Sequence, residues 1–464
     1  MTTVADHEGN LGRALQRLGR RTRFAELMAE SVAGEQVMVD TRSTTLTSEP
    51  RLRGVVFRVW TGRRWAEAAI SEFGTAELDA TVSRLESAAE RAGGNAPPPG
   101  ESATTRGSWS ATAKRSLREL GSEGTIALAK DLRGWAASVP GVVEVHVVLS
   151  WEDAERLYLN SAGARCHQSV EKTHVTVVPI AIENGRAEFD RWSRGGIGGL
   201  ELMPELAEPA IRAAAEGSKE LLRAKAPPAG ETDVLLDPGV TGTFAHESFG
   251  HGTEADQFVR DRSYLKPILG QVVGPEFLSI VDDGTFPGAW GSIFCDDEGH
   301  LAHKTPLIDR GRFVGALHDR ETAVVLGAKA TANTRRSDFR SRAFVRMTNT
   351  YVAPGDRTLE ELVADVQDGV LLEHWTSGIE DPLGGQMQLK VKKGHRIEHG
   401  RLTDLVGAMA LSGKVLDFLK AIRGVGRADR IVIEPGYCGK GHSDYLPVGS
   451  GGAHLLSRAI VGPA

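Results

Sequence analysis

The segment "DVLLDPGVTGTFAHESFGHGTEADQF", residues 233–258, predicts a strand that runs directly into a short helix carrying two histidines. His246 and His251 are five residues apart, one more than in the H-E-x-x-H zinc motif, where four residues return a side chain to the same helix face. At about 100° per residue, five steps leave the second imidazole roughly 140° around a regular helix. In a regular helix, the two histidines would therefore pack against other residues or cap the helix, and they would not share one ion.

Two features of the segment nevertheless favour a metal site. Gly250 immediately precedes His251, and one π-type turn at this flexible residue would bring the two rings together, because such a turn closes from i to i+5. Glu247 directly follows His246, and a carboxylate at that position can take a proton from a zinc-activated water. We therefore predict a metal site at a rigid strand-to-helix junction.

A catalytic zinc site usually has three protein ligands, so two histidines need a third partner. Glu254 is the local candidate, three residues after His251 on the same helical face; otherwise it is a solvated or supporting carboxylate. Cys438 is the distant candidate, in "EPGYCGKGHSDYLPVGSGG", where glycines allow close approach of the backbone. The alternative for an isolated cysteine is a small buried apolar side chain.

The distribution of helical and strand patterns predicts two α+β domains. The N-terminal segment at residues 11–33 has apolar residues near helical spacing and predicts a helix ending before Gly34, followed by a hairpin. Further helices and a strand meander follow, up to the Pro/Gly-rich "PPAGETD" at residues 227–233. We place the domain boundary there, giving an N-terminal α+β domain at 1–227 and a strand-rich domain at 228–464 that carries the metal site.

Composition excludes several classes of protein. The chain has 464 residues and a net charge of −6, which is mild for this length and gives no reason to expect nucleic acid or an acidic membrane surface as partner. We find no stretch of roughly 18 to 20 apolar residues. The three cysteines are far apart in the sequence, which is typical of a protein from a reducing compartment. We predict a cytoplasmic protein.

Several segments, in the same order along the chain, resemble the TldD/PmbA metallopeptidases, and specifically their active, TldD-like members. The segments are "HESFGHGTEAD" at 246–256, "DDEGHLAHKTPLIDRGRFVGALHD" at 296–319, "RRSDFRSRAFVRMTNTYVAPGD" at 335–356, "PLGGQMQL" at 382–389 and "YCGKGHSDYLPVG" at 437–449. The H-E-x-x-x-H motif combined with a late Cys-Gly is the most specific part of this resemblance.

The resemblance implies a zinc site with His246, His251 and Cys438 as ligands and Glu247 as catalytic base. It implies hydrolysis of peptide bonds in unfolded or extended peptides, by a homodimer or beside a PmbA-like paralogue that lacks the histidine motif. The rival hypothesis is a non-catalytic, peptide-binding or scaffolding subunit of such a complex. If a strand beside the metal aligns the substrate by main-chain hydrogen bonds, sequence preference should be weak, and "GGQMQL" at 384–389 is our candidate edge.

Overall fold

The structure is a computed structural model, and it describes residues 3–91, 93–203, 207–428, 431–440 and 443–464. Its N-terminal part is one sheet with helices on one face. The helices are α1 (Glu8–Gly19), α2 (Thr75–Glu90), α3 (Gly121–Ala137) and α4 (Ala207–Leu221), with 3₁₀ turns at Ala5–His7, Leu117–Leu120 and Leu200–Leu202. The strands are β1 (Phe24–Val39), β2 (Thr44–Trp60), β3 (Trp65–Ile70), β4 (Arg106–Ala111), β5 (Val142–Asn160), β6 (Arg165–Glu183), β7 (Arg186–Phe189) and β8 (Trp192–Ile197). They lie in the order β3-β2-β1-β5-β6-β4, and β7 and β8 also pair with β6.

Strand β1 shows how both faces of this sheet are covered. Leu27 lies in the apolar core shared with α1 and α2. Because side chains alternate along a strand, its neighbours face the other way, and there Met28 packs against Phe339. On that same face Arg320 contacts the Glu26 carboxylate at 2.5 Å, and the Phe339 amide donates to Glu30 at 2.6 Å. Segments of the C-terminal half therefore cover the second face of the N-terminal sheet.

The predicted helix at residues 11–33 is wrong in its second half. Helix α1 ends at Gly19, and Phe24–Val39 is a strand paired with β2 and β5. Glu26 and Glu30 are four residues apart, which mimics a polar helix face, but both are buried. Glu30 is paired with Arg156 of β5 at 3.1 Å. Tertiary ion pairing thus overrides the local helical pattern.

The C-terminal part consists mainly of strands. They are β9 (Gly230–Leu236), β10 (Ile280–Asp283), β11 (Lys304–Asp309), β12 (Arg312–Phe313), β13 (Thr334–Arg335), β14 (Phe344–Val345), β15 (Asn349–Val352), β16 (Asp368–Glu380), β17 (Gln386–Glu398), β18 (Arg401–Val406), β19 (Met409–Lys414), β20 (Gly424–Val425), β21 (Val432–Lys440), β22 (Ser443–Gly452) and β23 (Leu455–Pro463). The helices are α5 (Pro238–Thr243), α6 (Ala255–Val259), α7 (Arg320–Leu326), α8 (Leu359–Ala364) and α9 (Val415–Lys420), with a π turn at Phe244–Gly250 and 3₁₀ turns at His251–Thr253 and Lys266–Ile268.

Two sheets dominate this part. One has the order β12-β11-β10-β15-β22-β21, and the other β16-β9-β23-β19-β17-β18, with β20 added beside β23. In the second sheet β16 also pairs with β17, so β16, β9, β23, β19 and β17 close into a ring. A shared apolar core, which includes Phe244 and Phe249, joins these strands to the histidine segment.

The expectation that "GGQMQL" offers a free strand edge is wrong. Gln386–Leu389 belong to β17, which pairs with β16 on one side and β19 on the other. Gly384 and Gly385 lie in the turn before it, where Gly385 has a φ of 67°. Closure of the ring thus uses both edges of the segment.

The predicted α+β fold with a strand-rich C-terminal part is confirmed. Helix α4 ends at Leu221 and β9 begins at Gly230, on either side of the proposed domain boundary, which stays a prediction. Within the described residues, every helix is too short or too polar to cross a membrane.

Candidate metal centre

The histidine segment begins at the end of a central strand. Strand β9 is held between β16 and β23, and Asp237 then caps α5, its carboxylate accepting from the Val240 amide at 2.7 Å. Pro238 occupies the first turn of that helix, where its missing N–H is not needed. Because strand and cap fix the start of the helix, the residues that follow have a defined direction.

The five-residue histidine spacing is accommodated by a π turn at Phe244–Gly250. The rings of His246 and His251 have centroids 5.1 Å apart and an interplanar angle of 83°. The π-type turn expected from the spacing is therefore confirmed. Gly250 acts through its small size and not through an unusual backbone angle, because its φ is −57° and a Cβ there would lie 2.2 Å from the sulfur of Met347.

Cys438 reaches the histidines from β21. Its Sγ lies 3.1 Å from Nε2 of His251, and one ligand atom from each of His246, His251 and Cys438 lies within 4.8 Å of the others. The carbonyl oxygen of Cys438 accepts from the buried Arg346 guanidinium, which fixes the strand at this point. The structure therefore brings together all three residues that the resemblance implies as ligands.

Glu254 supports His251 from its other ring nitrogen. Oε2 of Glu254 lies 3.3 Å from Nδ1 of His251 and 2.8 Å from the Lys440 ammonium. Since Nδ1 faces this carboxylate, Nε2 is the nitrogen directed at the thiol. Such a carboxylate behind a histidine fixes the ring orientation at metal sites. The geometry thus favours Glu254 as an orienting residue over the alternative of a ligand.

The electrostatics favour a thiolate at Cys438. Burial raises the pKa of the thiol, but positive charge on His246 and His251 outweighs burial and lowers the pKa to about 4. For His251, burial lowers the pKa, while the charges on Cys438 and Glu254 raise it well above its usual value. A cation at this position would take over the role of the imidazolium charge.

The donor set fits zinc. Both ring nitrogens of His246 are buried and have no hydrogen-bond partner among the described residues, and buried polar atoms of this kind are costly unless a ligand satisfies them. Two imidazoles and a thiolate are ligands that zinc accepts, and these three residues would hold the ion.

Glu247 lies beside the three candidate ligands. Its Oε2 is 3.6 Å from Nε2 of His251, and its side chain is 29% exposed, so the carboxylate is accessible to solvent. Gly378 of β16 packs against it; a Cβ at that glycine would lie 2.6 Å from Cγ of Glu247.

Sequence reasoning missed four residues around this centre. Lys440 and Arg346 stand in the segments that carry the resemblance, so those segments were the available signal. Gly378 and Glu380 come from β16 and had no comparable signal. Burial raises the pKa of Glu380 to about 8, and the charges of the nearby Glu254 and Glu247 add to this.

The acidic segment at 296–300 forms a turn. The Asp296 carboxylate accepts from the amides of Glu298 and His300 at 3.0 and 2.9 Å. Among the described residues, the only group with metal-binding geometry is the one formed by His246, His251 and Cys438.

Comparison with known proteins identifies the family. Residues 229–458 match the model of the PmbA/TldA metallopeptidase C-terminal domain, and residues 115–222 match the central domain of the same family. A protein of Methanothermobacter thermautotrophicus named metalloprotease is 37% identical over 70% of this chain and 71% of its own length. A zinc metalloprotease TldD homolog of Saccharolobus solfataricus is 31% identical over 52% of this chain and 53% of its own. A crystal structure from Thermotoga maritima, described as a putative modulator of a DNA gyrase, has the same fold, with a TM-score of 0.78 and 19% identity over 98% of this chain and 99% of that one. The chain therefore belongs to the PmbA/TldA metallopeptidases, the family also written TldD/PmbA.

Proposed function

We propose that this protein is a zinc-dependent metallopeptidase that hydrolyses peptide bonds in unfolded or extended peptides. The observation that carries the proposal is the approach of His246, His251 and Cys438 to within 4.8 Å of one another, with Glu247 next to them. Relatives named metalloprotease and zinc metalloprotease support the same chemistry.

In this proposal His246, His251 and Cys438 hold the zinc ion. When bound, zinc supplies Lewis-acid activation of a water molecule and of the substrate carbonyl. Glu247 accepts the proton of that water at its carboxylate and later delivers it to the leaving amine. Glu254 holds the His251 ring through Nδ1, and the Arg346 contact keeps the Cys438 backbone in place.

The preference for extended substrates rests on the position of β21. This strand carries Cys438 and, in the described sheet, pairs only with β22, so its other side is an edge. A peptide can add to such an edge by main-chain hydrogen bonds, which any sequence can supply. We also propose that the chain acts in the cytoplasm as the active subunit of a homodimer or beside a PmbA-like paralogue, which light scattering and co-purification would distinguish.

The first test is zinc content by elemental mass spectrometry together with hydrolysis of unfolded peptides. We expect close to one zinc per chain, hydrolysis that a chelator abolishes, and recovery when zinc is restored. Protein that holds zinc but cleaves no unfolded peptide would instead indicate the scaffolding subunit. Protein that binds no zinc on titration would refute the metal centre itself.

A further inference from the structure

A small cavity of about 140 Å³ lies between the N-terminal sheet and β21. Its walls come from both halves of the chain: Gly34 and Gln36 of β1, Ser150 and Glu152 of β5, Trp290, and Tyr437 of β21. It is large enough for one long side chain and too small for a folded partner.

Glu35 and Glu152 are the carboxylates that line this cavity. Glu35 accepts from the Ser122 hydroxyl at 2.7 Å, so the negative charge available to a ligand comes from Glu152. It has neither a hydrogen bond nor an ion pair within 4.0 Å among residues that the structure describes. Its direct neighbours in the sheet are Gly34 on β1 and Lys172 on β6. Gly34 has no side chain that could cover the carboxylate, and a Cβ there would lie 2.9 Å from the Trp151 carbonyl oxygen. The Lys172 ammonium donates to the Trp290 carbonyl at 2.8 Å, and burial lowers its pKa to about 7 against the opposing charge of Glu152, so it offsets that charge only in part at neutral pH.

Two aromatic rings form the opposite wall. The rings of Trp290 and Tyr437 have centroids 5.7 Å apart with an interplanar angle of 79°, and Tyr437 is 52% exposed. The Trp290 ring already lies 5.6 Å from the Lys172 nitrogen, so its face can attract a cation. His174 packs against both rings, and burial lowers its pKa to about 4, so it adds no positive charge at neutral pH.

The cavity is next to the candidate metal centre along β21. Tyr437 immediately precedes Cys438, and consecutive side chains of a strand point to opposite faces. A peptide added to the free edge of β21 would likewise direct alternate side chains toward the Tyr437 face and the Cys438 face. One substrate side chain would therefore enter the cavity while the neighbouring peptide bond lies at the metal.

We propose that this cavity binds a cationic side chain, lysine or arginine, of the peptide substrate, between the Glu152 carboxylate and the rings of Trp290 and Tyr437. A carboxylate and aromatic faces together recognise an alkylammonium or guanidinium group. The inference rests on the proposed function and refines it. Main-chain pairing at β21 accepts many sequences, and the cavity adds preference at one position.

The test compares unfolded peptides that differ only in one residue, lysine or its uncharged analogue norleucine, placed in turn at each position around the cleaved bond. We expect the lysine peptide to be favoured in kcat/KM on the order of tenfold at one position, the size expected for one charged contact with cation–π support. Equal kcat/KM for both peptides at every position would overturn the proposal, and this result requires no variant.

Two variants locate the effect. E152Q should reduce the difference between the two peptides to about twofold or less. D153N should keep the full difference, because Asp153 lies on the other face of the same strand and pairs with Arg118 at 2.8 Å. If both variants keep the preference, the cavity is not its source.

Binding measurements separate this inference from the proposed function. In zinc-loaded E247Q, calorimetry should show tighter binding of the lysine peptide, and the added E152Q change should remove that advantage. Such binding without any hydrolysis by the unmodified protein would retain the cavity and refute the peptidase. Hydrolysis without any lysine preference would retain the peptidase and refute the cavity.

Discussion

Replacing Glu254 by glutamine tests how the centre is built. Glu254 is only 1% exposed, and its carboxylate contacts the Lys440 ammonium at 2.8 Å and Nδ1 of His251 at 3.3 Å. Burial raises its pKa, but Lys440 and His251 outweigh burial and lower it from 4.5 to about 2. A shift of this size corresponds to about 3 kcal/mol of stability, at 1.36 kcal/mol for each pKa unit. We therefore expect E254Q to unfold up to about 3 kcal/mol more easily at pH 7 in the metal-free protein.

The effect of E254Q on stability should depend on pH in a defined direction. Because the folded-state pKa of Glu254 lies below its ordinary value, the stabilisation is complete above pH 4.5 and is lost as the pH falls toward 2. The difference in urea unfolding between unmodified protein and E254Q should thus be full near pH 6 and shrink below pH 4.5. E231Q is the matched control, since Glu231 forms an exposed pair with Arg458.

Zinc affinity is the second measurement on the same variant. An orienting carboxylate typically contributes 10- to 100-fold to metal affinity, whereas loss of a ligand has a larger effect. Competition with a chromophoric chelator should therefore show E254Q weakened by about 10- to 100-fold. Unfolding within about 1 kcal/mol of the unmodified protein, together with zinc affinity within twofold, would refute the orienting role.

Three further variants address the remaining parts of the centre. E247Q should retain zinc and lose hydrolysis by about 10²- to 10⁴-fold in kcat, the usual contribution of a general base, and normal turnover would remove Glu247 from this role. C438A should weaken zinc binding more than E254Q does; unchanged affinity in the chelator assay would transfer the third ligand to Glu254. G250A should destabilise the protein by about 1–3 kcal/mol, because the added Cβ clashes with Met347. G12A, whose Cβ would meet nothing within 4 Å, should not destabilise the protein. Calorimetric melting compares the two variants.

The part of the candidate centre that depends on residues close together in the sequence was predictable. The spacing of His246 and His251 and the glycine between them indicated that one π turn would bring the two rings together, because the turn involves only neighbouring residues. The helix predicted through Glu26 and Glu30 was wrong because the interactions there are not local. These carboxylates pair with arginines that are distant in the sequence. Gly378 escaped notice for the same reason.

The free edge assigned to "GGQMQL" failed for a topological reason. Whether a strand has an unpaired edge depends on which other strands lie beside it. The sequence of one segment does not show which strands those are. In the described sheets β21 has such an edge, and it is there, next to Cys438, that we propose main-chain recognition of the substrate.

The contact between Glu26 and Arg320 also bears on how the chain folds during its synthesis. The two residues are 294 positions apart, so at about 5 to 20 residues per second the arginine is made about 15 to 60 s after the glutamate. During that interval β1 can pair with β2 and, once residues 142–160 have been made, with β5, but the face bearing Glu26 and Glu30 lacks the C-terminal segments that will bury it. The nascent N-terminal sheet therefore completes its folding only after most of the chain has been translated.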